Sequence, residues 1–185
     1  MIKKYIFTTL VGLVKFIFRK VFNFKKEYYI SNEPYLDPTS LKYFYNEVDK
    51  CTLYIEYGSG GSTLYVGNKN KKVVSVENDY DFYNFLKTKI CNYYPNVNLL
   101  YVNTGIVGSY GIPIFKSPTS INLNKWKSYV QAPWKVIYNQ TPDLIFIDGR
   151  FRVACALYSI IMMKDYPKTR ILIDDYLNRP EYKII

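Results

Sequence analysis

The sequence contains no histidine, which removes Ser-His-Asp and Cys-His catalysis, His-ligated zinc and the HExxH metalloproteases in one step. Cysteine is scarce and scattered. Cys51, Cys91 and Cys155 are odd in number and far apart, so neither a zinc knuckle nor a disulfide framework is expected, and the thiols read as reduced. Acidic residues are missing from the first 26 positions, which carry seven of the 25 Lys and Arg; from Glu27 onward eighteen cations face fifteen anions. The formal charge of +10 therefore belongs mostly to the N-terminus, and the near-balanced body lacks the basic face of a nucleic-acid binder.

A long hydrophobic run is absent as well. Residues 1–26 begin like a secretory signal, with Lys3 and Lys4 ahead of an apolar stretch, but no small-residue cleavage site follows. Lys15, Arg19 and Lys20 interrupt the apolar residues before the roughly 20 needed to span a bilayer accumulate. On a helix, Ile6, Phe7, Leu10, Val11, Val14, Ile17, Phe18, Val21 and Phe22 share one broad face, with Thr8, Gly12, Lys15, Arg19 and Lys26 opposite. Cations without a single anion on the polar face suit a helix lying on an anionic membrane surface. Two other readings are a helix packed on the domain's own core and a single-pass anchor. The expectation is a cytoplasmic protein, peripheral on a membrane through residues 1–26.

What is present is ample: 185 residues, 49% apolar and 18% aromatic, make one domain with a sizeable core over 27–185. Asp37-Pro38-Thr39-Ser40 supplies a cap and a first-turn proline for a helix reaching about Lys50. Strand-like runs then alternate with amphipathic stretches. Strands are predicted over Thr52–Tyr57, Lys72–Glu77, Val97–Val102, Asp143–Ile147 and Arg170–Asp174, and helices over Asp79–Ile90 and Phe151–Met163. That alternation implies βαβ crossovers and a parallel sheet covered on both faces. Residues 104–141, rich in Gly, Pro and aromatics, read as an insertion with one short helix near Leu123–Val130, placed to cover a site at the sheet's C-terminal edge.

The sharpest local signal is the glycine loop Gly58-Ser59-Gly60-Gly61-Ser62-Thr63 after the first strand. Glycine there admits a ligand that a Cβ would obstruct. Nineteen residues beyond Gly58, Glu77 ends the second strand, where its carboxylate can accept hydrogen bonds from both hydroxyls of a bound ribose. Thr63 stands where a dinucleotide fingerprint has its third glycine, and Glu56 at the end of the first strand would repel pyrophosphate but suit the ammonium of a methionine moiety. S-adenosylmethionine is therefore the expected ligand.

These residues resemble a class I S-adenosylmethionine-dependent methyltransferase. Glu56 through Thr63 is similar to that family's first motif, and Glu77, with Asn78 beside it, to its ribose-binding acid. PDLIFIDGRFRVACAL (142–157) resembles the fourth strand, its terminal Asp148 and the following helix; ILIDDYLNRPEY (171–182) resembles the fifth strand and the turn beyond. GIPIF, WKSYVQAPW and the IDGRFRVACAL run are together similar to a little-described subgroup. The resemblance implies a Rossmann-like sheet in the order 3-2-1-4-5 with helices on both faces. The family sheet continues past its fifth strand with a helix and an antiparallel pair, whereas this sequence stops at Ile185, so either the sheet lacks the last two strands or the sequence is a shortened form.

The implied activity is methyl transfer, with O-methylation of a small-molecule, glycan or lipid-linked acceptor. Where family members carry a histidine after IDG, this chain has Arg150, Phe151 and Arg152. Asp148 is then the candidate general base, with Asp174 or Asp175 second; capping or cofactor binding is the plainer role for Asp148. The three carboxylates could also hold a divalent cation, but no ligand set is defined and no metal is expected. Arg150 is a candidate contact for an acidic acceptor, and Trp126, Tyr129 and Trp134 form a candidate aromatic wall. The competing class is a membrane-tethered, catalytically inactive nucleoside-binding protein of the same fold.

Overall fold

The computed structural model describes residues 10–14, 17, 18, 21 and 27–185. Ten regular elements follow the N-terminal segment: α1 (Pro38–Lys50), β1 (Leu53–Tyr57), α2 (Gly61–Asn68), β2 (Lys72–Glu77), α3 (Tyr80–Tyr93), β3 (Val97–Tyr101), α4 (Ser120–Ile137), β4 (Leu144–Ile147), α5 (Arg152–Met162) and β5 (Arg170–Ile173). The strands form one parallel sheet in the order β3-β2-β1-β4-β5, an α/β Rossmann-like fold. Asp37 caps α1, its carboxylate accepting from Thr39 N at 3.0 Å and Ser40 N at 3.2 Å, with Pro38 at the first helical position.

Side chains alternate across each strand and so sort into two cores. Leu53, Ile55 and Tyr57 of β1 face Tyr129, Val130, Trp134 and Ile137 of α4 together with Cys155 and Ala156 of α5. Tyr54 of the same strand turns the other way, to Phe44 and Val48 of α1 and Val66 of α2. Leu86 and Ile90 of α3 join Leu64 of α2 on that second face. Helices α1 to α3 thus cover one face and α4 and α5 the other. The winding reverses between β1 and β4, and ligands bind sheets of this kind in the crevice beyond the strand ends at such a reversal.

The helix expected near Leu123–Val130 within residues 104–141 is present, but it is not short. Nearly half of the segment is α4, eighteen residues long, which makes the β3-to-β4 crossover and buries its apolar side on the sheet. The prolines had argued for loop. Pro118 in fact precedes the capping Thr119, and Pro133 lies inside the helix, where it withholds an N–H from the carbonyl of Tyr129. The neighbouring Val130 carbonyl accepts the Tyr57 hydroxyl at 2.6 Å, and that hydroxyl oxygen accepts Trp134 Nε1–H at 2.8 Å. Tyr57 therefore fastens α4 to the central strand.

The remaining connection, from Val102 to Thr119, contains a two-residue hairpin. Gly108 N donates to Ile112 O at 2.8 Å and Ile114 N to Ile106 O at 2.9 Å, while Tyr110 (φ 57°) and Gly111 (φ 67°) form the tip in the left-handed conformations this tight turn requires.

Of the N-terminal segment, residues 10–14, 17, 18 and 21 are helical; the rest of the expected 1–26 helix, including Lys15, Arg19 and Lys20, lies outside the described residues. Among the described residues no helix is long and apolar enough to cross a membrane. Tyr57→Phe leaves the Val130 carbonyl and the Trp134 indole without their partner, and should cost about 1–3 kcal/mol in urea denaturation; an unchanged midpoint would show that α4 is held by packing alone.

Candidate active site

A cavity of about 520 Å³ opens at the winding reversal, walled by Gly58, Ser59, Glu77, Asn78, Asp79, Asp148, Gly149, Arg150 and Arg152, with Glu27 to Tyr29 and the hairpin tip, Tyr110 and Gly111, at its rim. The glycine loop is shaped by the backbone more than by a ligand. At Gly58 (φ +93°) a Cβ would lie 2.5 Å from the Cα and N of Gly149, so the turns after β1 and β4 can meet only without a side chain there. At Gly61 a Cβ would run into the carbonyl of Glu33, whereas at Gly60 it would meet nothing. Of the loop, Gly58 and Ser59 line the cavity; Gly60, Gly61, Ser62 and Thr63 do not.

Glu56 is placed differently from the expectation that it meets a ligand's ammonium. It is fully buried behind the loop, on the Tyr54 side of β1. Its Oε1 accepts from Tyr54 at 3.0 Å and from Ser62, and its Oε2 from Ser75 at 2.7 Å and from Thr63. Burial raises its pKa against the pull of these hydroxyls. The carboxylate ties β1, β2 and the first turn of α2 together.

Glu77 does lie on the cavity wall. Its Oε1 accepts Asn78 N at 2.7 Å and Asp79 N at 2.8 Å, so one oxygen already holds the turn into α3, where Asp79 caps by accepting Asp81 N and Phe82 N. Burial pushes Glu77 up to about 7 despite those amides. Asn78, expected to contact the cofactor, spends its amide on the lid: Nδ2 donates to Thr104 Oγ1 at 2.7 Å and to Gly111 O at 2.8 Å, which pins the hairpin tip at the rim.

At the ends of β4 and β5 the organising group is Arg152, 7% exposed. It donates through Nη2 to Asp148 Oδ1 at 2.5 Å and Asp148 O at 2.9 Å. Nη1 donates to Asp174 O at 2.7 Å, Asp174 Oδ2 at 3.2 Å and Asp175 Oδ2 at 3.3 Å, and Nε to Gly149 O at 3.2 Å. The positive charge on which these carboxylates converge is thus a guanidinium of the chain itself. Burial pushes Asp148 up to about 7, Arg152 pulling it down and the Asp174 carboxylate pushing it further up. Asp175 is held below its usual range, first by its hydrogen bond from Arg179.

Arg152 was legible in spacing, four residues after Asp148 on the first turn of a helix, but which of Arg150 and Arg152 turns inward was not. Arg150 lines the cavity. Asp174 and Asp175 instead line a second cavity of about 780 Å³ between α1 and β5. The aromatic wall is not assembled: Tyr129 and Trp134 are core residues, and Trp126 lines a groove between α4 and α5 and packs on Phe151 at 5.5 Å.

No protein-family model and no curated protein matches the chain. Among solved structures it is similar to a methyltransferase-like protein from Silicibacter pomeroyi DSS-3, with 28% identity and a TM-score of 0.64 over 80% of this chain and 77% of that one. The chain is methyltransferase-like in fold.

Two outcomes follow from the glycines and from Glu77. Gly58→Ala should abolish folding or cost several times what Gly60→Ala costs, the latter staying within about 1 kcal/mol, the scale of a helix-cap change; equal effects would contradict the close approach of the two turns. Glu77 gains a proton on folding between its unfolded value of 4.5 and its folded value of about 7, so its stabilising contribution is whole below pH 4.5 and lost as pH rises through 7. Glu77→Gln, which keeps an acceptor for both amides, should remove about 3 kcal/mol of stability difference between pH 4.5 and pH 8. Parallel pH profiles of parent and variant would show that the carboxylate is not buried.

Proposed function

We propose that this chain is an S-adenosylmethionine-dependent methyltransferase acting on an oxygen of a small-molecule, glycan or lipid-linked acceptor. The observation that carries the reading is a buried carboxylate, Glu77, on the wall of the switch-point cavity of a fold shared with a methyltransferase-like protein. The residues present fit a nucleoside: a carboxylate pushed up by burial gains an ionised, hydrogen-bonded state when ribose hydroxyls donate to it, and the Gly58–Ser59 backbone borders the same space. The bound cofactor would supply a methyl group on a sulfonium.

The chain's own residues would do the rest. Methyl transfer to a hydroxyl needs alignment, a dry site and a base. Asp148, at the cavity wall with its pKa raised by desolvation and by the Asp174 carboxylate, is placed to take the hydroxyl proton, and Arg152 fixes its orientation. Tyr110 of the hairpin and Tyr28 and Tyr29 at the opposite rim would exclude water. One feature favours the second reading, a nucleoside-binding protein of the same fold that does no chemistry: Asp148 Oδ1 is already engaged by Arg152 at 2.5 Å.

Calorimetric titration with S-adenosylhomocysteine tests the reading. The parent should bind one equivalent, Glu77→Gln should lose about 1–3 kcal/mol, the worth of hydrogen bonds to a charged group, and Asp148→Asn should bind almost as the parent does while losing turnover. Absence of saturable binding by the parent would overturn the proposal, and Asp148→Asn turning over as the parent does would remove the base.

A further inference from the structure

The described turns of the N-terminal helix place their apolar side outward. Leu10, Val14, Ile17 and Val21, spaced by four, three and four residues, fall on one stripe, and each is about half exposed or more. A helix packed on the domain's own core would bury that stripe. Its other side meets the lid: Ile114 side-chain atoms lie 3.4 Å from where a Cβ on Gly12 would stand.

The helix is also tied to the cavity by sequence. Five residues lie between Val21 and Glu27, six steps along the chain with a reach of at most about 21 Å, and Glu27 to Tyr29 form the rim. At the mouth, Tyr110 and Tyr29, both lining the cavity, are 85% and 95% exposed, and Ile112 and Phe115, which follow the hairpin tip within four residues, are partly exposed as well. An apolar stripe on the helix and apolar side chains on the hairpin therefore belong to segments that touch each other at Gly12 and Ile114, the hairpin tip lining the opening. The neighbouring charge has one sign: residues 1–26 hold seven cations and no anion, which matches anionic head groups and opposes a second copy of the same segment.

We propose that the helix stripe and the hairpin together dock on an anionic bilayer with the cavity mouth facing it, so that the methyl acceptor is an amphiphile drawn from the membrane. The docking surface stands on its own; the acceptor class rests on the methyltransferase reading.

The test uses the full chain and flotation with vesicles of 70% phosphatidylcholine and 30% phosphatidylserine. The parent should float, and should float less with phosphatidylcholine alone. Val14→Asp with Ile17→Asp on the helix should lower partition at least tenfold, and Ile112→Glu with Phe115→Glu on the hairpin at least fivefold, while both pairs keep the parent's thermal midpoint and its S-adenosylhomocysteine affinity without vesicles. With tritiated methyl donor and vesicles of the source cell's polar lipids, label should enter the chloroform phase. A parent that does not float overturns the docking surface, as does self-association that the helix pair abolishes in place of vesicle binding. Hairpin variants that float like the parent overturn the facing mouth, leaving the helix a mere tether. Label confined to the aqueous phase overturns the acceptor class. Flotation as expected without binding of S-adenosylhomocysteine upholds the surface and refutes the methyltransferase reading.

Discussion

The structure turns on the contact between Gly58 and Gly149, where the turns that leave β1 and β4 approach so closely that no Cβ fits between them. These two strands are adjacent but lead to helices on opposite faces, so their turns diverge from a common point and leave a crevice between the chains that follow. Ser59 and Glu77 border the crevice from one side, Asp148 and Arg150 from the other. A side chain at either glycine would push the two halves apart and displace both groups at once.

Around that contact the chain buries more charge than a small core tolerates without compensation. Glu56 is compensated by hydroxyls contributed from β1, β2 and α2, which makes it a brace for the loop. Glu77 is compensated by backbone amides alone, two from the following turn on Oε1 and that of Ser59 in the glycine loop. Asp148 is compensated by Arg152, which also ties down the backbone of the β5 end through Asp174 O. The contrast is one of place: Glu56 is closed in by hydroxyls behind the loop, whereas Glu77 and Asp148 stand on the cavity wall.

Apolar-rich runs carried the sheet legibly: β4 is wholly apolar, the other four strands hold at most three polar residues each, and Gly58, Asn78, Asp148 and Asp174 stand directly after β1, β2, β4 and β5. The order of strands came from the Gly58 and Glu77 spacing and the resemblance it supports, not from any pairing signal. Helix α4 is legible over Leu123–Val130 but not in its full length, since local propensity weighs Pro133 as a breaker while burial of Tyr129, Val130 and Trp134 against the sheet outweighs it. At the site, Glu77 and Asp148 were legible because strand ends point at the crevice. The direction of Glu56 depends on which face of β1 its residue falls, and the roles of Asn78 and Arg152 depend on contacts 26 and 22 residues away, which no local pattern encodes.

On the proposed function, the Gly58–Gly149 crevice holds a nucleoside whose ribose meets Glu77. The most direct measurement is a crystal structure of the full chain with S-adenosylhomocysteine. The ribose hydroxyls are expected within hydrogen-bond distance of the Glu77 carboxylate, with the sulfur turned toward Asp148. Density for the nucleoside in the cavity between α1 and β5, or in the groove between α4 and α5, with the Glu77 cavity holding only water at saturating ligand, would contradict it.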